Sequence, residues 1–357
     1  MEPVLMKGNE AIAEAAIRGG CRYFFGYPIT PQNEIPEYMS WRLPEVGGVF
    51  LQAESEVAAI NMVYGASGAG GRVMTSSSSP GISLKQEGIS YIAAAELPCV
   101  IVNMVRGGPG LGGIQPAQSD YFQATRGGGH GDYRLIVLGP GTVQEAANLM
   151  MQAFDLAEKY RNPVMLLGDG VLGQMMEPVV FPEYPGPAPV EKDCVTDGAK
   201  GREPRIINTL MLDPDDLYRH NLKLQAKYAR IAENEVRYEE YLTEDAEWVF
   251  VAYGTTARIC KSVVDQIRPE GYRVGVFRPI SLWPFPKAPL GDLAGRVKGM
   301  LVVEMSMGQM VDDAKLAVEC KAPVHFYGVA GGIVPSRADT RKKLLHLMQA
   351  VKGGDQQ

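Results

Sequence analysis

Residues 99–105, Cys-Val-Ile-Val-Asn-Met-Val, constrain the fold more than any other segment. A run this short and this apolar reads as a strand covered on both faces, the kind found inside a parallel sheet. Strand patterns at 22–27, 49–52, 72–76, 135–138 and 164–167 repeat the theme, and helical patterns lie between them at 56–64, 82–95 and 143–160. An earlier helix runs through Ala11, Ile12, Ala15, Ala16 and Ile17, with Asn9 as its candidate cap and Gly19 and Gly20 as its stop. Strands alternating with helices predict a parallel sheet flanked by helices.

The alternation breaks near residue 182. Pro182, Pro185, Pro187 and Pro189 predict a stiff, extended connector. A charge-rich stretch follows, with one helical pattern over about 215–241, whose Tyr218, Tyr228, Tyr238 and Tyr241 are expected to pack on a domain surface. Alternation resumes with strand patterns at 248–252, 273–277, 300–304 and 324–327, and helical patterns at 257–267, 291–297, 310–319 and 337–350. The expected organisation is an α/β domain at 1–184, a linker with a helical segment at 185–246, and a smaller α/β domain at 247–357.

Composition removes several classes of function. A net charge of −6 argues against nucleic-acid or anionic-membrane partners, since both call for a basic face. The apolar run 89–105 is interrupted by Glu96, Pro98 and Asn103, so no spanning helix is expected. Residues 1–9 have no apolar core of the signal-peptide kind, and the cytoplasm is the expected location. Cys21, Cys99, Cys194, Cys260 and Cys320 are scattered, which fits neither an iron–sulfur motif nor a disulfide framework.

Open α/β sheets bind ligands beyond the carboxyl ends of their strands. The first strand pattern leads into Gly26-Tyr27-Pro28-Ile29-Thr30-Pro31, the second into Ala53-Glu54-Ser55-Glu56, and the third into Thr75-Ser76-Ser77-Ser78-Ser79-Pro80-Gly81. The fourth leads into Arg106 and the glycine-rich stretch 107–113, followed by Gln115 and Asp120. Each has a plain reading alone: a surface turn, a helix-start carboxylate favoured by the dipole, a capping serine, a surface charge. Together they supply hydroxyls, carboxylates and an arginine, the parts that hold a polar heterocycle and an anion in one crevice.

That order resembles the alpha subunit of the 2-oxoacid:ferredoxin oxidoreductase family. The matching residues are Tyr27-Pro28-Ile29-Thr30-Pro31, Glu54-Ser55-Glu56, Ser78-Ser79-Pro80-Gly81, Arg106 with its glycines, Gln115, Gln118, Asp120, the loop 127–132, and Gly308-Gln309-Met310. The stretch 106–132, with Gly168-Asp169-Gly170 and 173–178, looks most like the branched-chain, 2-oxoisovalerate group. The resemblance covers essentially the whole chain. It implies a pyrimidine-binding sheet for thiamine diphosphate, followed by a domain like the transketolase C-terminal one, which supports assembly rather than chemistry.

The resemblance also implies roles. Glu56 is the carboxyl that hydrogen-bonds the cofactor's pyrimidine, with Glu54 as the alternative, and Pro28 and Ser79 line the same cofactor site. Arg106 binds the substrate carboxylate, a task suited to a planar guanidinium. Thr30 donates near the substrate carbonyl or carboxylate. His130, between glycines, reads as a loop residue rather than a general base. Gly168-Asp169-Gly170 looks like the start of a magnesium-diphosphate motif, but 192–200 lacks the asparagine that completes it, so the site is expected to be structural and to bind no metal.

The implied reaction is oxidative decarboxylation of a 2-oxoacid, with electrons passing to iron–sulfur clusters and the acyl group to coenzyme A. Diphosphate, magnesium and a cluster are then expected in a beta subunit, with gamma and ferredoxin-like delta subunits completing the assembly and ferredoxin receiving the electrons. The same subunit acting on 2-oxoglutarate or pyruvate is one rival, with Arg126 and Arg134 as candidates for a second carboxylate. A non-catalytic scaffold is another, and the presence of Thr30, Glu56 and Arg106 together speaks against it.

Overall fold

The computed structural model describes residues 2–183, 186 and 194–354. Pro185, Pro187 and Pro189 of the expected connector lie outside the described residues. The chain opens with β1 (Val4–Lys7), α1 (Gly8–Arg18), β2 (Tyr23–Gly26), α2 (Glu34–Glu45), β3 (Val49–Gln52), α3 (Glu56–Gly68), β4 (Val73–Ser77), α4 (Ser79–Ala94) and β5 (Val100–Val105). Next come α5 (Tyr121–Arg126), β6 (Ile136–Leu138), α6 (Val143–Tyr160), β7 (Val164–Asp169), α7 (Gly170–Gln174) and β8 (Met176–Val179). The long helix α8 (Pro214–Asn234) leads to β9 (Tyr238–Tyr241), β10 (Trp248–Val251), α9 (Gly254–Ile267), β11 (Val274–Pro279) and β12 (Ser281–Trp283). The chain then runs through α10 (Lys287–Ala294), β13 (Gly299–Glu304), α11 (Met310–Val318), β14 (Val324–Gly328) and α12 (Arg337–Gly354).

Among the described residues, the larger sheet has the order β12-β6-β7-β5-β4-β2-β3. Every neighbouring pair in it is parallel except β12 with β6. All six residues of β5 are buried, as a central parallel strand requires. From β2 the chain steps outward to β3, then crosses back to β4 on the other side of β2. Such a reversal opens a crevice at the carboxyl ends of the two flanking strands. Right-handed crossovers in opposite directions put their helices on opposite faces. Accordingly α1 packs with α2 and α6, while α3 packs with α4.

The second sheet has the order β14-β13-β10-β11-β9, parallel except for β9. The two sheets exchange outlying strands. β9 precedes the second sheet's first parallel strand in sequence and pairs with β11, whereas β12 leaves that sheet and extends the first. The whole is α/β, with one parallel sheet after another.

Local expectations need four corrections. Asn9 does not cap α1; Lys7 is the cap residue, in a box closed by Glu10, and Asn9 is buried inside the helix. The helix expected to reach 241 stops at Asn234, and Tyr238 and Tyr241 belong to β9. Tyr228 is buried on α8, but Tyr218 is exposed rather than packed. Helix α2 had no forecast; Glu34 and Glu37 favour its first turn, and Ile35, Met39 and Leu43 give it a buried stripe.

Candidate active site

The four strand-end segments converge on the crevice made by the β2/β4 reversal. The loop after β2 is clamped from several sides. The Asn9 side-chain amide donates to the Pro31 carbonyl at 2.7 Å, and the Gln174 amide to the same oxygen at 3.1 Å. Arg106 Nη1 donates to the Thr30 carbonyl at 3.0 Å, and Asn33 Nδ2 to Thr30 Oγ1 at 3.4 Å. Thr30 is therefore held by its backbone, with its side chain half-buried, while Pro28 is exposed on the outer part of the loop.

The two glutamates after β3 part company. Ser55 caps α3, accepting from the Ala58 amide at 3.2 Å in an extended conformation. That turn leaves Glu54 exposed and swings Glu56 inward, where it is buried. A Cβ at Gly81 would fall 2.7 Å from Glu56 Oε1 and 2.1 Å from Ser77 Oγ. Gly81 is thus required by close approach: the carboxylate fills the space a side chain would take.

The serine run after β4 divides its work. Ser76 Oγ donates to Gln32 Oε1 at 2.5 Å. Ser79 Oγ accepts from the Arg106 amide at 3.1 Å, which ties the start of α4 to the end of β5. Arg106 is buried, and besides Thr30 its guanidinium reaches the Leu111 carbonyl at 2.9 Å through Nη2. It therefore fastens the glycine-rich loop to the Thr30 loop. Within that loop Gly112 has φ +61°, and a Cβ there would sit 1.8 Å from the Gly107 carbonyl. Asn103 Nδ2 donates to Asp120 Oδ2 at 3.0 Å; burial raises the Asp120 carboxyl above the usual range, against the hydrogen bonds from Asn103 and Ser79.

Buried polar atoms left without a hydrogen-bond partner collect at these same strand ends: Ser77 Oγ, Ser78 Oγ, Asn103 Oδ1 and Arg106 Nε. Unpaired buried polar atoms are costly and native proteins keep few of them. Their grouping at these strand ends fits a polar heterocycle and an anion, the ligand chemistry that the sequence suggested.

Sequence reasoning passed over Lys85. It is fully buried, and its Nζ donates to Thr75 Oγ1 at 2.8 Å and to the Ser76 carbonyl at 3.0 Å. Burial pushes its amine down to about 7, with the Glu56 charge acting the other way. The signal was in the spacing: Ile82, Lys85, Ile89 and Ile92 recur at three or four residues, so a lysine stands where an aliphatic side chain belongs.

Other candidates lie elsewhere. His130 is exposed, its ring set edge-on against Tyr91 at a centroid distance of 5.9 Å. Arg126 pairs with Asp313 at 3.3 Å, and Arg134 donates to the Arg126 and Tyr133 carbonyls. Both line a cleft with Trp283 and Phe285, away from the crevice. Asp169 caps α7, one oxygen accepting from the amides of Val171 and Leu172, and takes a further bond from Thr255 at 3.0 Å. A cleft of about 530 Å³ does open beside the crevice, lined by Thr30, Asn33, Ile114, Gln115, Val171 and Val334 among others.

The second sheet closes over this region. Gln118 Nε2 donates to the Tyr253 carbonyl at 2.9 Å, and its Oε1 accepts from the Met305 amide at 2.9 Å. Gln309 Nε2 donates to the Ser119 carbonyl at 2.7 Å and Gln309 Oε1 accepts from the Phe122 amide at 2.7 Å. Gly107 lies against Gly331 and Gly332. Among the described residues no group of three or more His, Cys, Asp or Glu could hold a metal ion, and no helix is long and apolar enough to cross a membrane.

Known protein families match both parts of the chain. Residues 14–243 match the family described as "Pyruvate flavodoxin/ferredoxin oxidoreductase, thiamine diP-bdg", and residues 246–339 match "Pyruvate:ferredoxin oxidoreductase core domain II". The chain is 51% identical to the ketoisovalerate oxidoreductase subunit VorB of Methanothermobacter marburgensis, over 96% of this chain and 97% of that one. It is 39% identical to the 2-oxoglutarate synthase subunit KorA of Methanothermobacter thermautotrophicus, over 93% and 95%. Among solved structures, the 2-oxoglutarate:ferredoxin oxidoreductase of Magnetococcus marinus superposes with a TM-score of 0.86 at 27% identity, covering 97% of this chain. The chain spans 65% of the length of the chain it matches there. A split-gene transketolase, at 13% identity and a TM-score of 0.57, shares the fold.

Proposed function

This chain belongs to the 2-oxoacid:ferredoxin oxidoreductase family, and on that premise we propose that it is the alpha subunit of an enzyme that oxidatively decarboxylates a branched-chain 2-oxoacid. The observation that carries the reading is the burial of Glu56 against Gly81 at the sheet reversal, where Arg106 at the end of β5 is tied to the Thr30 loop after β2. Thiamine diphosphate, when bound, supplies the carbon nucleophile that attacks the keto group.

This chain's residues set the conditions. Glu56, buried beside Gly81, would be the carboxyl that hydrogen-bonds the cofactor's pyrimidine. Glu54, exposed, does not share that task, and Pro28 and Ser79 border the cofactor. Arg106 has a buried Nε free of protein partners and orients the substrate carboxylate. Thr30, fixed by its backbone, presents its hydroxyl to the same end of the substrate.

Substrate class follows from the neighbouring cleft. Ile114, Val171 and Val334 give it an apolar lining, and the charged residue among its walls is Glu34, not a lysine or arginine. A branched aliphatic group suits that lining; the second carboxylate of 2-oxoglutarate would face an acid. The relative at 51% identity is named for ketoisovalerate.

The rest of the reaction belongs to partners. A beta subunit would hold diphosphate, magnesium and a cluster. Gamma and delta subunits, ferredoxin and coenzyme A complete the cycle, in the cytoplasm. Asp169, committed to α7 and Thr255, supports placing the metal outside this chain. The test is a 2-oxoacid panel with the reassembled enzyme. Highest kcat/KM is expected with 3-methyl-2-oxobutanoate; preference for 2-oxoglutarate would overturn the substrate assignment.

A further inference from the structure

The chemistry proposed above leaves Gln118 without a part, although it joins the two sheets next to the end of β5. Residues 115–118 run back alongside that strand end. Arg106 and Pro116 stand opposite each other in an isolated antiparallel bridge. The Gly107 amide donates to the Gln115 carbonyl at 2.9 Å, and the Ala117 amide to the Val105 carbonyl at 3.3 Å. That is a thin tether. Pro116 contributes no donor, one of the two bonds is long, and residues 108–115 between the paired runs are exposed. Backbone held by so few contacts opens locally unless something further fixes it.

Gln118 supplies a second hold, and it comes from the other sheet. Its amide donates to the Met305 carbonyl at 2.8 Å and its side-chain Oε1 accepts from the Met305 amide at 2.9 Å, so one residue satisfies both backbone groups of Met305. Its Nε2 donates to the Tyr253 carbonyl at 2.9 Å. Tyr253 and Met305 follow β10 and β13, neighbouring parallel strands of the second sheet. Gln118 is buried, where a side-chain amide is tolerated only when its partners are met. The loop after β14 backs the same segment: a Cβ at Gly332, which has φ +90°, would lie 2.4 Å from Gln115 Cβ.

Resting on the reading of Arg106 as the anchor of the substrate carboxylate, we propose that Gln118 is a positioning residue for Arg106, through which the second sheet fixes the strand end that presents the guanidinium to the oxoacid. Arg106 touches the substrate; Gln118 acts through the run opposite it. Gln309 ties the same two sheets at Ser119 and Phe122, beyond that run, and so serves as the control for a loosened domain contact.

The test compares wild type, Gln118→Ala, Gln309→Ala, Arg106→Ala and Gln118→Ala combined with Arg106→Ala in the reassembled enzyme. Gln118→Ala should raise KM for the oxoacid about tenfold with kcat within about threefold. Deuterium exchange at the thiamine C2 position, which needs no oxoacid, should stay within about twofold of wild type. Gln309→Ala should lower the unfolding midpoint yet hold KM within about twofold. In the Arg106→Ala background the change at Gln118 should add less than about twofold to KM, because the group it positions is already gone. Factors that simply multiply, an equal rise of KM in Gln309→Ala, or a wild-type KM in Gln118→Ala would each overturn the proposal. Gln118→Met keeps the bulk of the side chain and replaces the alanine variant if that one does not fold.

A wild-type KM in Arg106→Ala would instead remove the anchor reading. The coupling is then judged by amide hydrogen exchange in the cofactor-free chain. Gln118→Ala should speed exchange of the Gly107 and Ala117 amides by about tenfold, and by more than Gln309→Ala does. Unchanged protection of those two amides overturns the coupling whatever the kinetics show.

Discussion

Glu56 and Glu304 are both buried carboxylates at the carboxyl end of a parallel strand, and they meet opposite fates. Glu304 ends β13 in the second sheet. Its two oxygens accept from the Ser306 hydroxyl at 2.8 Å and the amides of Gln309, Met310 and Val311, so the carboxylate is consumed in starting α11. Burial pushes its carboxyl up, and those hydrogen bonds pull the other way. Glu56 starts α3 in the first sheet but turns away from its own helix, since Ser55 already caps it. It is packed instead against Gly81 of α4. One architecture thus yields a carboxylate spent on its own helix start and one that the backbone leaves unclaimed, the group proposed to meet the cofactor.

The largest expected effect falls on the first member of the pair. Glu56→Gln should lower turnover of the reassembled enzyme by roughly 10²–10⁴-fold, the range a positioned proton-transfer group supplies. Glu304→Gln should cost stability, on the order of 1–3 kcal/mol for disturbing a buried hydrogen-bonded network, and leave kcat per folded enzyme near wild type. Urea titration beside steady-state kinetics separates the two; a collapse of kcat in Glu304→Gln would erase the contrast. Next in size, Arg106→Ala should raise KM for the oxoacid by about 10- to 100-fold, the worth of a charged hydrogen-bonded pair. Gly81→Ala sharpens the geometry, because the new methyl must displace Glu56 Oε1 or Ser77 Oγ. Its turnover should fall by more than its unfolding free energy would explain. Smallest of all, Arg134→Ala should change KM by less than about twofold, since Arg134 lines the other cleft.

How much of this was legible in the sequence differs between the two sheets. Period and composition located the central strands, because burial on both faces leaves an unbroken apolar run such as Val100–Val105. Motif order put Thr30, Glu56 and Arg106 forward as candidates, and the structure joins Arg106 to Thr30 and buries Glu56. What the sequence could not separate was Glu54 from Glu56, since the choice depends on the extended conformation of Ser55. Lys85 was hidden because a lysine inside an amphipathic pattern reads as a solvated interruption until Thr75 and the Ser76 carbonyl of β4 are in place to receive it. The second sheet's outlying strands were harder still. Tyr238–Tyr241 continues a helical pattern by eye, and only its pairing with β11 makes it a strand. Short edge elements owe their form to a distant partner, which local propensity does not record.

The central claim is that Glu56, rather than its exposed neighbour, activates the cofactor. Exchange of the thiamine C2 proton for deuterium in the reassembled enzyme tests it without substrate. Glu56→Gln should slow that exchange by roughly two orders of magnitude or more, while Glu54→Gln stays within about twofold of wild type. Wild-type exchange in Glu56→Gln, or a loss that follows Glu54 instead, would contradict the account.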